Sequence, residues 1–197
     1  MRRTIAVASL VAGASSRVAA MSSSAAAAAA PPSLPIMAPD AIMLPRAHGT
    51  CVGPVQAKLR WGADRTTADH ICCFNRHYAE SAGYWEETPL LRSMMDSSPN
   101  ATTFCDSVTG KPLFIAPVGR TLKEFIDESR AHGWPSFRDE EVVWENVRVV
   151  GTAAQGETVS VDGTHLGHNL PDYNGNRYCI NLVSVAGEPS ESCASKL

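Results

Sequence analysis

The 197-residue sequence lacks the features of several protein classes. It has no C-x-x-C pair, no long uninterrupted apolar run, and no basic excess, since the formal net charge is −3 and the pI is near 6.1. A membrane span needs about 18 or more apolar residues in a row, and nucleic-acid binding usually leaves a basic footprint. We therefore predict a protein with no membrane span and no nucleic-acid partner.

The cysteines are too irregularly spaced for a zinc site or a disulfide framework. Structural zinc sites use closely spaced pairs, and small secreted scaffolds use dense bridges. We predict no cofactor and no structural zinc. We expect a monomer with a single hydrophobic core, because 44% of the residues are hydrophobic. Cys72 and Cys73 are expected to be inert, since adjacent cysteines bridge only with strain. The six cysteines are Cys51, Cys72, Cys73, Cys105, Cys179 and Cys193.

The two ends of the chain carry conflicting targeting signals. No acidic residue precedes Asp40, and the arginine, serine and alanine content of residues 1–39 is typical of a plastid or mitochondrial transit peptide. A secretory signal and an untargeted alanine-rich tail are alternatives. The chain ends in Ser195-Lys196-Leu197, a peroxisomal address. Because an N-terminal signal emerges first from the ribosome, we predict a plastid or mitochondrion, with the peroxisome as the alternative.

The middle of the chain divides into a weakly patterned part and a sharply patterned part. Residues 40–100 predict an irregular N-terminal extension, with one or two short helices near residues 79–95. Residues 101–188 predict the core domain, followed by a tail over residues 189–197. Glycine turns in the core domain separate short strand candidates, which favours antiparallel sheets. The strand candidates are residues 102–106, 112–115, 142–150, 157–161, 164–166 and 177–185.

One helix has clear start and stop signals. Thr121 and Glu124 have the spacing of a capping box, an apolar stripe follows, and Gly133 stands where a helix would end. We predict a helix from Thr121 to His132. It leads into Gly133-Trp134-Pro135-Ser136-Phe137, where two aromatics around a proline indicate a fixed nonhelical corner.

The last strand candidate has two different faces. Alternation along a strand places Arg177, Cys179 and Asn181 on one face and the apolar residues between them on the other. A cysteine reacts as its thiolate, and a neighbouring guanidinium favours that form. We therefore expect Arg177 to lower the pKa of Cys179. His165 or His168 would then supply a proton near neutral pH.

Three ordered segments resemble the B-type methionine sulfoxide reductases of the zinc-free kind. They are Gly133-Trp134-Pro135-Ser136-Phe137, then His165-Leu166-Gly167-His168 followed by Asp172, and last Arg177-Tyr178-Cys179-Ile180-Asn181. The resemblance covers residues 102–187. It implies a mainly β fold of two small antiparallel sheets with a few short peripheral helices. The implied reaction is reduction of methionine-R-sulfoxide in oxidised proteins, with thioredoxin or another thiol as reductant.

The resemblance also implies a role for each site residue. Cys179 would attack the sulfoxide sulfur and become a sulfenic acid, while Trp134, Phe137 and Asp172 would bind the substrate. His165 and His168 would bind and protonate the sulfoxide oxygen. Arg177 and Asn181 would position and activate the thiolate.

Two departures from the family pattern concern cysteine. Many members bind zinc through two C-x-x-C pairs, but this chain has Cys105 alone in residues 105–110 and no cysteine in residues 159–162. The internal resolving cysteine that often precedes the tryptophan segment is replaced by His132. We predict that Cys105 or Cys193 resolves the oxidised Cys179, with direct attack by thioredoxin or glutathione as the alternative.

Three other classes of function stay open from the sequence. A metal-dependent enzyme could use His165, His168 and Cys179. A noncatalytic module could bind oxidised methionine peptides in the same place. A general disulfide oxidoreductase is disfavoured, because such enzymes usually carry a C-x-x-C pair.

Overall fold

The computed structural model describes residues 33–191. The predicted targeting signals therefore lie wholly or mostly outside the described residues, as does Cys193. Within the described range, no helix combines the length and apolar character needed to cross a membrane.

The fold is built on a six-stranded mixed sheet and a separate two-stranded hairpin. The order of the large sheet is β1-β5-β6-β7-β8-β4, and β2 pairs with β3. All neighbouring pairs are antiparallel except β1 with β5. The β-rich class is confirmed, but only the hairpin is a small antiparallel sheet. The strands are β1 Met37–Ala38, β2 Thr102–Cys105, β3 Pro112–Ala116, β4 Ser136–Phe137, β5 Val147–Val150, β6 Glu157–Ser160, β7 His165–Asn169 and β8 Tyr178–Ile180.

The edge strand β1 lies inside the segment that the sequence assigned to a leader. Met37 pairs with Val149, and the backbone carbonyl of Ile36 accepts a hydrogen bond from Val149 at 2.9 Å. The folded unit therefore begins before residue 39.

The helices of residues 33–191 are short, and the longest of them is the one that the sequence predicted. The side chain of Thr121 accepts from the Glu124 amide at 3.2 Å, the Glu124 carboxylate accepts from the Thr121 amide at 2.7 Å, and Gly133 ends the helix with a φ of 87°. The α-helices are α1 Arg65–Asp69, α2 Tyr84–Glu87, α3 Leu90–Ser97 and α4 Leu122–His132. A π-helical turn spans His70–Phe74, and 3-10 turns span Asp40–Met43, Arg60–Gly62, Asp139–Glu141 and Leu182–Ser184.

One aromatic cluster joins the two sheets to α4. The ring of Phe137 lies 4.3 Å from Phe114, 5.0 Å from Phe104 and 5.5 Å from Phe125, measured between centroids. The same core includes Trp85, Leu90 and Met94 from the N-terminal extension. The extension is therefore an integral part of the domain, because its apolar residues are buried with those of the sheets.

A second apolar cluster contains a disulfide that the sequence did not predict. Cys51 and Cys73 are bonded, with their Cα atoms 5.2 Å apart. The expectation that Cys73 is inert is wrong, because the 48–51 turn brings Cys51 to it. Cys72 is buried among Ile71 and Val183, and burial raises the pKa of its thiol well above the ordinary value.

Candidate active site

A cleft of about 240 Å³ opens beside β7 and β8. All three of the sequence segments singled out above contribute to it, as does a stretch of the N-terminal extension. The fold thus brings together Trp134, His165, His168, Cys179 and Asn181 at one place. The lining residues are His77, Tyr78, Ala79, Trp134, His165, Gly167, His168, Leu170, Cys179 and Asn181.

A β-bulge puts both histidines on the same side of β7. Residues three apart on a regular strand face opposite sides. Here Val159 pairs with His165 while Thr158 pairs with Gly167, so Leu166 is an extra residue against β6. Bulges re-aim side chains in this way. The two imidazole rings consequently both line the cleft, with their centroids 5.6 Å apart.

Cys179 occupies the middle strand position of β8 and faces the cleft. It pairs with His168 on one side and with Ser136 on the other, so its backbone is fixed between two strands. Its neighbours Tyr178 and Ile180 are fully buried in the core. Cys179 and Asn181 line the cleft as predicted, whereas Arg177 is buried and absent from the cleft lining.

The Cys179 thiol is harder to ionise than the sequence suggested. Burial raises its pKa, the charge and hydrogen bonding of Arg177 lower it, and the charge of Glu80 raises it; the net shift is upward. The expectation of a lowered pKa is wrong, because it counted the guanidinium and not the burial. Cys179 is therefore a thiol near neutral pH.

Arg177 is held beneath the site by few contacts. Its side chain is only 8% exposed, and its Nε lies 3.7 Å from Asp172 and has no hydrogen-bond partner among the described residues. A terminal nitrogen lies 3.5 Å from the Ser136 hydroxyl. The guanidinium also hydrogen-bonds the side chain of Cys179.

A carboxylate and an arginine fix the orientation of His165. Its Nδ1 lies 2.7 Å from Glu157, which also accepts from the Nε of Arg76 at 2.9 and 3.0 Å. Burial opposes ionisation of Glu157, but these hydrogen bonds hold its pKa below the ordinary value. Because Nδ1 is engaged, Nε2 is the nitrogen that His165 can offer to the cleft. Burial and the nearby His165 lower the pKa of His168.

One wall of the cleft comes from His77, Tyr78 and Ala79, which sequence reasoning missed. The carbonyl of Glu80 accepts from the indole nitrogen of Trp134 at 3.1 Å, and its amide donates to the side chain of Asn181 at 3.2 Å. Its carboxylate accepts from the amides of Leu182 and Val183 at 2.6 and 3.0 Å. The cluster of Arg, His, Tyr and Glu in residues 76–80 was the available signal, but it has no periodicity.

The buried carboxyl of Glu80 makes stability depend on pH. Burial raises the pKa of Glu80 to about 7, although the hydrogen bonds from two backbone amides act in the opposite direction. The folded state therefore holds a proton that the unfolded state has lost between about pH 4.5 and pH 7, and stability falls as pH rises through this window. Each pH unit in this window changes the free energy of unfolding by about 1.4 kcal/mol, so ionisation of Glu80 lowers it by about 3 kcal/mol in total.

We expect the Glu80→Gln variant to lose that pH-dependent contribution. Urea unfolding at pH 5 and pH 8 gives the change in unfolding free energy with pH, the pH slope, for each protein. The contribution of Glu80 is the difference between the slopes of the parent and the variant. Glu87→Gln, which removes the same charge from an exposed position in α2, is the matched control and should keep the parent slope. Equal slopes in the parent and Glu80→Gln would contradict the assignment.

Phe137 and Asp172 do not lie on the cleft. Phe137 is fully buried in the aromatic cluster, so it supports the corner that carries Trp134. Asp172 accepts from Arg138 at 2.8 Å, and this hydrogen bond lowers its pKa to about 2. The resemblance implied that both residues bind the substrate, whereas neither lines the cleft in the structure.

The structure does not bring Cys105 to Cys179. Cys105 is fully buried at the end of β2 and is absent from the cleft lining. Its backbone is bridged to Ala186. A resolving role for Cys105 would therefore require β2 to leave the core.

The turn after β2 and the turn between β6 and β7 are joined by polar contacts. The Asp106 carboxylate accepts from the Thr164 hydroxyl at 3.0 Å, and Lys111 forms an ion pair with Asp162 at 2.8 Å. Asp106 also accepts from the Val108 amide at 2.8 Å. These residues do not fit a thiolate zinc site, because Cys105 is the one cysteine that residues 105–110 and 159–162 contain.

No protein-family model matches the chain.

Proposed function

We propose that this protein is a thiol-dependent reductase of methionine-R-sulfoxide, acting on oxidised proteins. The observation that carries the proposal is the cleft itself. A single cysteine, two imidazoles and an indole, from segments far apart in the sequence, line one cavity. A carboxylate orients one of the imidazoles through its Nδ1. These groups suit attack on sulfur combined with protonation of an oxygen.

The proposed chemistry balances without a cofactor. The Cys179 sulfur attacks the sulfoxide sulfur, and the S–O bond breaks as the oxygen transfers to Cys179. The products are methionine and a sulfenic acid. An external thiol then forms a mixed disulfide with Cys179 and releases water, and a second thiol restores the Cys179 thiol. The reductant is thioredoxin or another thiol.

The raised pKa of Cys179 fits this reaction. Cys179 enters as a thiol, and its proton is the one that the sulfoxide oxygen needs as its bond to sulfur breaks. His165 and His168 line the same cleft as Cys179 and can relay the proton. Arg177, which hydrogen-bonds the Cys179 side chain, then stabilises the negative charge that develops on sulfur in the transition state.

The surroundings of the cleft favour a residue within a polypeptide over the free amino acid. Trp134 offers an aromatic face for the methyl group on sulfur, a contact that thioethers favour. Tyr78 and Leu170 line the same cleft and are 52% and 37% exposed. Such exposed apolar residues around a cavity are typical of surfaces that bind a further chain.

The test is epimer-selective turnover by the full chain. Dabsylated methionine-R-sulfoxide and its S epimer are each incubated with the protein and dithiothreitol, and the methionine formed is measured. We expect turnover of the R epimer only, unchanged by a metal chelator. Binding of oxidised peptides without turnover would replace the proposal with a noncatalytic module. Loss of turnover with the chelator would favour the metal-dependent alternative.

A further inference from the structure

Four side chains with metal-binding chemistry gather around the disulfide. Nε2 of His48 lies 2.9 Å from the Asp69 carboxylate, and these two groups and the Cys73 sulfur all lie within 4.8 Å of one another. Cys51 is bonded to Cys73, so a second sulfur lies one bond away from this group of three. None of the four residues lines the cleft described above.

The backbone holds these residues in two tightly coupled pairs. His48 and Cys51 exchange both backbone hydrogen bonds, at 2.9 and 3.1 Å, so the turn between them is closed. Asp69 and Cys73 are four residues apart on continuous helical chain, which places them on the same side. The Thr50 amide donates to the Cys73 carbonyl at 2.9 Å and joins the two pairs.

We propose that reduction of the Cys51–Cys73 disulfide converts this cluster into a binding site for Zn²⁺ or a similar thiophilic divalent cation. A dithiol reductant transfers two electrons and two protons to the disulfide and becomes a disulfide itself. The two thiols formed then release their protons as their sulfurs bind the cation. His48 and Asp69 complete a four-ligand set of two sulfurs, one nitrogen and one oxygen, a number and type of ligands that zinc accepts.

The ligand atoms of His48, Asp69 and Cys73 need to move only a short distance to bind a zinc ion together. Zinc bonds of about 2.0–2.3 Å place neighbouring ligand atoms roughly 3–4 Å apart. The three groups within 4.8 Å therefore need to close by about 1 Å, which rotation of side chains can supply. The two sulfurs separate once their bond is broken.

The surroundings provide both an entrance and outer support. The side chains of His48 and Asp69 are 28% and 30% exposed, while Cys51 and Cys73 are buried behind them. An open cavity of about 360 Å³ leads to His48 and Asp69 from solvent. Asp69 accepts from the Val55 amide at 3.3 Å, and the Phe74 ring packs edge-on against His48 at 4.7 Å. Contacts of this outer kind hold metal ligands in orientation.

The site lies directly before the segment that forms the cleft wall. Residues 76–80 follow Cys73 and supply the partner of Glu157 and the contacts of Glu80. The kind of thiol reductant that recycles Cys179 is also the kind that reduces disulfides. A cation bound in its place would keep Cys73 joined to Cys51 under reducing conditions. This consequence rests on the proposed function, whereas metal binding does not.

The test is cobalt binding by the full chain in its reduced and oxidised forms. A Cys179→Ser background removes the cleft thiol as a competing ligand. The protein is reduced with a phosphine, desalted without oxygen and titrated with Co²⁺, which reports tetrahedral thiolate ligation by its visible and charge-transfer absorption. We expect the reduced form to bind one equivalent of Co²⁺, which Zn²⁺ then displaces. The oxidised form should show none of this absorption.

Variants assign the ligands. His48→Ala and Asp69→Asn are each expected to weaken cobalt binding by about 10-fold or more. His70→Ala is the matched control, because His70 is an exposed neighbour of Asp69 outside the cluster, and it should bind as the parent does. The proposal fails if the reduced form binds no cobalt, if the oxidised form binds it equally, or if neither ligand variant weakens it. The cobalt titration does not measure enzyme activity, so its outcome is independent of the reductase assay.

Discussion

The Cys179→Ser variant is expected to lose turnover of methionine-R-sulfoxide by on the order of 10³-fold or more, with its fold unchanged. A hydroxyl is a far weaker nucleophile toward sulfur than a thiol. It also cannot take up the oxygen as a sulfenic acid that thiols later reduce. Serine is nearly the same size as cysteine, so the packing of β8 between β4 and β7 should persist.

Cys72→Ser is the matched control for that loss. It makes the same chemical change at a buried thiol that does not line the cleft. Activity close to that of the parent is expected. Trapping with a sulfenic-acid reagent after one turnover, followed by peptide mass analysis, should label Cys179 in the parent. Full activity in Cys179→Ser would assign the nucleophile elsewhere and remove the main support for the mechanism.

The Gly167→Ala variant is expected to destabilise the domain by about 3 kcal/mol or more and to abolish activity. A Cβ at Gly167 would lie far inside van der Waals contact with the Cys179 carbonyl oxygen and 3.0 Å from the Cα of Ile180. Both obstacles are backbone atoms of β8, so no side-chain rotation relieves them. The strand that carries Cys179 would have to move away from β7.

Gly151→Ala separates this effect from the general effect of replacing a glycine. Gly151 has a φ of 86° in the turn between β5 and β6, and a Cβ there meets nothing within 4 Å. Only the backbone penalty of about 1–2 kcal/mol is expected, with activity retained. Urea unfolding and the sulfoxide assay measure both variants. Similar stability and activity in the two would contradict the steric argument.

Local signals made some elements predictable from the sequence. The capping box of Thr121 and Glu124 and the glycine at position 133 are sufficient to define α4, because a helix end is determined by residues close in sequence. The alternation in residues 177–181 likewise indicated which side chains face the core. The strand candidates at residues 102–106 and 112–115 match β2 and β3 for the same reason.

Features that depend on distant residues were not predictable. β8 ends at Ile180 although the apolar pattern continues to residue 185, because the next amides turn to donate to Glu80. β5 begins at Val147 because the Val143 amide donates to the Leu113 carbonyl instead of joining the sheet. The bulge at Leu166 has no sequence signature, and the burial that sets the Cys179 pKa is a property of the whole core.

The contacts of Glu80 also determine which fragments of this protein can be expressed with a complete cleft. A domain boundary at residue 101, where the sequence pattern sharpens, would remove the acceptor of the Trp134 indole and the acceptors of two amides after β8. It would also remove Trp85, Leu90 and Met94 from the core. A recombinant fragment carrying all three recognisable segments would therefore have an incomplete cleft and an exposed apolar surface. The smallest useful expression fragment starts before β1.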